Sequence, residues 1–354
     1  MQIQHPKFDT DSNVLTIPGY RSGHLGKWHL GTLTTKIKDA NRGTPGDSTF
    51  YSPPWEHGFE VCFSTESKVP TYWMENDYNS YGTYYWTGPE QMVPGAEISG
   101  DDSRLIMDRA LSFIKKAARD KTPFFAVIWF HTPHLPVVSV PPYTDGYTTH
   151  KDYYGSLTSM DQQMGRLRQK LEQLGVADNT MLWFCSDNGP EGDAAAAGRT
   201  NGLRGRKRSL YEGGIRVPGL LVWPGVIKES QIVSIPCSTS DYFPTILDVL
   251  EYRIPRDQER PYDGISLLPL IRGEMIERPE PIDFESKDQV SLIDNRYKLF
   301  SKNEGKTFEL YDLLADQGEK TDIADQHPEI VERMRLTLEE WRQSCKWSSL
   351  GNDY

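Results

Sequence analysis

Residues 123–130 read PFFAVIWF, eight positions without a charge. The run is short, carries bulky side chains and opens on a proline, so it reads as a buried strand of a sheet covered on both faces. On its N-terminal side, Asp101-Asp102-Ser103 caps a helix reaching to about Arg119, with acids at the start and Lys115, Lys116 and Arg119 near the end, as the macrodipole favours. On its C-terminal side, segment 153–174 places Leu157, Met160, Met164, Leu167, Leu171 and Leu174 in steps of three and four, which is one helix face, closed by Gly175. A second apolar strand follows at Thr180–Cys185, TMLWFC. Strand, helix, strand in this order is a βαβ unit, and several such units make a doubly wound α/β sheet flanked by helices.

The remainder of the chain is organised around that unit. Residues 32–100 are rich in Gly, Pro, Ser, Asn and aromatics without a sustained period and read as irregular surface loops. Near the C-terminus, Val290–Asp294, Tyr297–Ser301 and Thr307–Tyr311 read as three short strands, the first two joined by Asn295-Arg296. A helix from about Pro328 would carry Ile330, Val331, Met334, Leu338 and Trp341 inward. A meander followed by a helix is a small α+β subdomain, so the expected division is a main domain at 1–273 and a subdomain at 274–354. At 354 residues the chain has room for both. Its net charge of −11 argues against a nucleic-acid surface, yet leaves room for a local basic pocket. No apolar run approaches the roughly 18 residues of a membrane span, and MQIQHPKFDTDSN at the start has no signal-peptide core. Cys62, Cys185, Cys237 and Cys345 lie far apart, without a CxxC pair, and suggest neither a disulfide framework nor a zinc site.

In open α/β sheets, ligands bind beyond the carboxyl ends of the strands. The two apolar strands end in HTPHLP (131–136) and SDNGPEG (186–192). Asp187 and Asn188 offer a carboxylate and an amide oxygen suited to Ca²⁺ or Mg²⁺, although Asp-Asn-Gly is by itself also a plain turn. His134 sits between prolines that would hold its imidazole at a fixed angle; a structural histidine is the plainer reading, more so for His131. In GLRGRKRSLYEGGIRVP (202–218), basic residues cluster among glycines within an acidic protein. Lys207 there could present an ammonium to a tetrahedral oxyanion, or the loop could simply be solvated. Finally, YWMENDYNSYGTYYW (72–86) holds seven aromatics, a composition suited to the rim of a sugar-binding cleft, with Trp73 as the expected contact, or to plain packing.

Taken together, these motifs carry a resemblance. GYRSGHLGKWHLG (19–31) resembles the second signature of the sulfatases, of arylsulfatase and N-acetylgalactosamine-6-sulfatase type, in the alkaline-phosphatase-like superfamily. PHLP at 133–136, SDNG at 186–189, Lys207 five residues before Glu212-Gly213-Gly214, DGISLLPL at 263–270 and the ending FELYDLLADQGEKTDIA at 308–324 are similar to further family motifs, in the same order. The resemblance implies an alkaline-phosphatase-like mixed sheet and hydrolysis of sulfate esters, with a sulfated small molecule or carbohydrate as substrate. It implies that Lys27, His29, His134 and Lys207 contact the sulfate, the leaving group or the nucleophile. Asp187 and Asn188 would ligate Ca²⁺, with Mg²⁺ as the alternative. Gly23, Gly26 and Gly31 would let the backbone crowd towards that centre. It further implies a periplasmic or extracellular location, and leaves the oligomeric state open.

One family element has no match. Sulfatases carry paired aspartates and then a Cys-x-Pro-Ser-Arg signature, whose cysteine becomes formylglycine, ahead of the Gly-Lys-Trp-His stretch. Neither precedes Lys27, and no Cys-x-Pro-Ser-Arg occurs in the sequence. The expectation at this level is an N-terminally truncated sulfatase domain, inactive alone, with a weak or empty cation site. The alternatives are a non-catalytic anion-binding remnant and a phosphoester or phosphonate hydrolase of the same superfamily.

Overall fold

The central strand of the first sheet is one that its composition conceals. β1, Arg21–Lys27, is RSGHLGK, with Ser22, Gly23, His24, Leu25 and Gly26 all buried. The computed structural model describes residues 19–353 except 75–77, 79, 194 and 257. The described chain forms two compact units, lying within Asp9–Ala177 and Asp178–Tyr354.

In the first unit, β1 is followed by β2 (Val61–Thr65), β3 (Tyr72–Trp73), β4 (Tyr85–Trp86), β5 (Gly100–Asp101), helix α1 (Asp102–Arg119), β6 (Phe124–Trp129) and helix α2 (Lys151–Gln173). The main sheet has the order β4-β2-β1-β6. β1 runs parallel to both β2 and β6, with Lys27 opposite Thr65 and Gly26 opposite Trp129, while β4 is antiparallel to β2. Segment 32–100, expected as surface loops, thus contains a buried strand. β2 is VCFST, five residues whose small polar side chains hide its pairing from a hydropathy reading. β6 forms where PFFAVIWF required it, but at the edge of the sheet, so its residues are half-buried and Trp129 remains 43% exposed.

α1 begins as expected, with one refinement. Asp101 is the cap, accepting from the Arg104 amide at 2.8 Å, and Asp102 turns into the core. Its apolar face, Ile106, Met107, Ala110, Phe113, Ile114 and Ala117, is buried. α2 buries a more polar stripe than its hydrophobic period suggests: Gly155, Ser156, Ser159 and Gln163 join Leu167 and Leu171, whereas Met160 and Met164 are half-buried. The expected approach of glycines to a ligand takes another form. Gly23 and Gly31 lie against the Phe113 ring and Ser52, and Gly26 lies against the Trp129 carbonyl.

The second unit opens with β7 (Leu182–Cys185), α3 (Glu212–Ile215) and β8 (Gly219–Val222), the two strands pairing antiparallel. Helices α4 (Tyr242–Val249) and α5 (Leu268–Ile271) follow. Next come four antiparallel strands in sequential order, β9 (Ile282–Ser286), β10 (Gln289–Asp294), β11 (Tyr297–Ser301) and β12 (Glu309–Asp312), then α6 (Pro328–Ser349). The meander has one strand more than the sequence suggested. Met334 and Leu338 of α6 close a core with Val290, Leu292, Leu299 and Leu310, and Ile330, Val331 and Trp341 pack at its margin. On the other face of the sheet, Ile282, Ile293, Phe300 and Tyr311 gather around Leu210 from the Lys207 loop. DGISLLPL, part of the resemblance, is a structural splice: the Ile265 amide donates to Asp241 Oδ1 at 2.9 Å and the Leu267 amide to Thr245 Oγ1 at 2.8 Å. The Arg278 guanidinium closes on the same Asp241 carboxylate with two bonds of 2.8 Å, both side chains being buried.

Candidate active site

The carboxyl ends of β2, β1 and β6 form one edge in the first unit. Thr65 and Lys27 end β2 and β1 in register, and Trp129 leads from β6 into His131-Thr132-Pro133-His134. Beyond Lys27 the chain leaves the sheet. The Trp28 amide donates to Thr65 O at 2.9 Å and its indole N–H to Ser52 O at 2.7 Å, so Trp28 goes inward. His29 follows in the left-handed region (φ 55°) and is exposed. Its carbonyl accepts from Arg42 Nη2 at 3.1 Å, and Arg42 Nε donates at 2.8 Å to the buried Glu66. The loop that presents Lys27 and His29 is therefore tied to buried charge rather than merely solvated.

His134 donates from Nδ1 to Leu135 O at 2.7 Å, which fixes its tautomer, and its amide donates to His131 O at 2.7 Å. His24, beneath this edge, is a different case. It is buried among Trp28, Trp129 and Phe59, with ring centroids 4.9, 5.0 and 5.6 Å away. Burial, and secondarily the charge of His131, push its imidazole down to about 3, so it is a neutral core residue.

The second unit holds the remaining expected site residues. β7 ends in Ser186-Asp187-Asn188-Gly189, where Ser186 Oγ donates to Asn188 O at 3.1 Å, Asp187 is exposed and Asn188 half-buried. The turn is locked onto the Glu-Gly-Gly segment: the Gly189 amide donates to Gly214 O at 2.8 Å, and a β-carbon on Gly189 would lie 1.9 Å from Gly213 O. The Lys207 amide donates to Pro190 O at 3.1 Å, which places the Lys207 loop beside the Asp187-Asn188 turn. Lys207 Nζ stands 3.4 Å from Glu191 Oε2, and Arg208 pairs with the same carboxylate. Hydrogen bonding from Arg208, then from Lys207, holds the Glu191 carboxyl below its ordinary range. Much of the basic cluster is structural. The Arg204 guanidinium stacks 3.9 Å over Tyr211 and donates to Tyr311 Oη at 2.8 Å, and Arg206 Nη2 donates to Glu191 O and Ala197 O, each at 3.1 Å.

Sequence reasoning missed what stands behind this loop. Glu212 of the Glu-Gly-Gly segment is buried, and Lys298 Nζ on β11 reaches its Oε1 at 3.0 Å and Glu319 Oε1 at 2.8 Å. The Glu212 amide donates to Glu319 Oε2 at 2.7 Å. The available signal was the period of β11, which puts Lys298 on the same face as Phe300, where a lysine needs a buried counter-charge.

As a cation site, the expected ligands among the described residues do not suffice. Asp187 and Asn188 supply two oxygens, against six to eight for Ca²⁺, and no group of three or more His, Cys, Asp or Glu able to hold a metal occurs among the described residues. The formylglycine position has no counterpart either. Cys62 is buried with its thiol pushed up to about 12, the exposed Cys237 is held up at about 11 by burial of its thiol, and no cysteine stands in Cys-x-Pro-Ser-Arg. The aromatic stretch is also corrected where it is described, residues 75–77 and 79 lying outside. Trp73 is buried, its indole donating to Asp102 Oδ1 at 2.9 Å, and Tyr85 is stacked on Phe63, so neither can rim a cleft.

A mixed α/β sheet presenting lysine and histidine at the carboxyl ends of its strands, with a C-terminal antiparallel sheet and helix, is the alkaline-phosphatase-like fold. The solved structure of Ps i-CgsB in complex with k-i-k-neocarrahexaose has the same fold, with a TM-score of 0.75 at 23% identity over 91% of this chain and 71% of that one. The structure of BT4656 with its substrate D-glucosamine-2-N,6-O-disulfate gives 0.63 at 17% identity, over 93% and 80%. The sulfatase family matches residues 5–252, and a second family, the C-terminal part of N-sulphoglucosamine sulphohydrolase, matches 205–344. The chain belongs to the sulfatase family. Human N-acetylgalactosamine-6-sulfatase is 32% identical over 283 residues, covering 75% of this chain and 49% of that protein. The chain thus spans about half the length of the curated relatives it matches. No helix among the described residues is long and apolar enough to cross a membrane.

Proposed function

We propose that the activity of this chain's protein is hydrolysis of sulfate esters on a sulfated carbohydrate, in a periplasmic or extracellular setting. The observation that carries the reading is family membership over 5–252, a span that includes Lys27, His29, His134, Asp187, Asn188 and Lys207. A relative named for a sulfated amino sugar, and neighbours solved with a disulfated glucosamine and a carrageenan oligosaccharide, support the substrate class. The proposed division is a catalytic domain at 1–273 with a subdomain at 274–354.

In this reading Lys27 and Lys207 supply fixed positive charge to sulfate oxygens that gain charge as the S–O bond breaks. His134, whose Nδ1 donates to Leu135 O, exchanges a proton with the leaving oxygen, and His29 serves as a second proton carrier. Lys207 must exchange Glu191 for the anion, which the partly exposed position of that pair permits. The family's formylglycine supplies the attacking oxygen; no residue of this sequence matches its signature, so the attack is assigned to none of these side chains.

The test measures sulfate-dependent thermal protection of residues 1–354 and of the Lys27→Ala and Lys207→Ala variants, together with aryl sulfate and sulfated oligosaccharide hydrolysis. Sulfate protection lost in either variant, with no hydrolysis by the chain alone, is the expected result. Robust turnover that disappears in Lys27→Ala would require another nucleophile, and protection indifferent to both lysines would overturn the reading.

A further inference from the structure

The buried polar groups that the proposed chemistry leaves unused converge on His131. Asp102, fully buried, accepts at Oδ1 from Trp73 Nε1 (2.9 Å) and Tyr85 Oη (2.7 Å), and at Oδ2 faces His131 Nδ1 at 2.8 Å. On the other side of the ring, His131 Nε2 lies 2.8 Å from Thr65 Oγ1, which lies 2.7 Å from Ser67 O. We propose that His131 is a positioning residue, a buried imidazole clasp with both ring N–H groups donating, that fixes the turn from which His134 is presented.

The proton count carries the first half. A hydroxyl has one hydrogen, and the Ser67 carbonyl can only accept, so Thr65 gives its hydrogen to Ser67 and turns a lone pair to Nε2. Nε2 therefore donates. The Asp102 carboxylate also only accepts, so Nδ1 donates too. A ring with both N–H groups is a cation, and Asp102 is its buried counter-charge, with every other contact of that carboxylate a donor.

The connections carry the second half. Asp102 is the first residue of α1 and Thr65 the last of β2, so the ring bridges two elements at the carboxyl edge of the sheet. A second stitch, Ser103 Oγ to Thr132 Oγ1 at 2.9 Å, holds the next residue to the same helix turn. His131 O then accepts the His134 amide at 2.7 Å. The backbone from 131 to 134 is thus held by side chains of two elements, which removes freedom that the His134 imidazole would otherwise lose on meeting a substrate. This inference rests on the reading of His134 as a sulfate-facing group.

Nitrogen-15 spectroscopy of the ring nitrogens in the 354-residue chain tests it. We expect two N–H couplings at His131, one of them lost in Thr65→Val. A single N–H at His131 in the parent chain overturns the clasp. In His131→Gln and Asp102→Asn, with folding checked by circular dichroism, the His134 ring signals should shift and its amide should exchange at least about tenfold faster. Unchanged His134 signals and exchange in a folded variant overturn the positioning role, and Thr65→Val serves where the other two do not fold. Intact His131 couplings in a chain that neither binds sulfate nor cleaves its esters count against the functional reading alone.

Discussion

The carbonyl oxygen of Trp129 occupies the place where a side chain on Gly26 would begin: a β-carbon there would lie 1.8 Å from it. Gly26 also has φ of +113°, a conformation that a β-carbon strongly disfavours. Two strands of the parallel sheet approach each other through this glycine.

Gly26→Ala is therefore expected to destabilise the first unit by about 3 kcal/mol or more, combining backbone strain with a clash in a packed sheet. Gly165 in the middle of α2 is the control, exposed with nothing within 4 Å of its β-carbon position. Gly165→Ala should stabilise by about 0.5–1 kcal/mol. Urea unfolding of both variants measures the contrast; equal losses would refute it.

Lys298→Met removes a lysine set between two buried carboxylates, Glu212 and Glu319. Leaving buried charge uncompensated costs about 3–5 kcal/mol. Adding Glu319→Gln to that variant should recover part of the loss, since one unpaired charge then disappears. A neutral effect of Lys298→Met in denaturant unfolding would show that the cluster contributes nothing.

Asp39 is fully buried, accepts from Trp86 Nε1 at 2.8 Å, and has its carboxyl raised to about 6, chiefly by burial. The native state holds this proton more tightly than the unfolded chain does. Its contribution to stability is therefore full below about pH 4 and is lost as pH rises through about 6. Asp39→Asn keeps an acceptor for Trp86 and should abolish that slope, gaining on the order of 2 kcal/mol at neutral pH. Thermal midpoints from pH 4 to 7 for both proteins decide; parallel curves would rule Asp39 out.

Calcium should bind the 354-residue chain no more tightly than about millimolar, the weak end of oxygen-ligand sites, because Asp187 and Asn188 provide two ligands. Calorimetric titration checks this. A micromolar site lost in Asp187→Ala would mean that further oxygens complete the shell.

How much of the fold could be read in advance depends on what a residue's neighbours do. α1, α2, β6, β7 and the terminal meander follow as elements from period, caps and apolar runs, but β6 and β7 are half-buried and pair in separate sheets, β7 antiparallel to β8, rather than in the single βαβ unit expected. β1 does not: RSGHLGK is glycine, histidine and serine in the core, tolerated because Phe113 and Trp129 fill the space its own side chains leave. The proposed site rests on motif, from Lys27 and His134 to Lys207, since those residues match a resemblance residue by residue. Its supports were not. Asp102 read as a helix cap and His131 as the duller of two histidines, and only three-dimensional pairing brings them to 2.8 Å. Trp73 read as a sugar platform for want of any sign that its indole serves Asp102.

The cluster around Lys298 also imposes an order of events on the ribosome. Glu212 leaves the synthetic machinery 86 residues ahead of its lysine, and its amide precedes the Glu319 acceptor by 107 residues. At about 5–20 residues per second, the Glu-Gly-Gly segment waits several seconds or longer with an acid that it cannot bury alone. The loop carrying Lys207 is thus translated early and completed late, and a chain stopped before residue 298 would hold the sulfatase signature without the charge that lets it set.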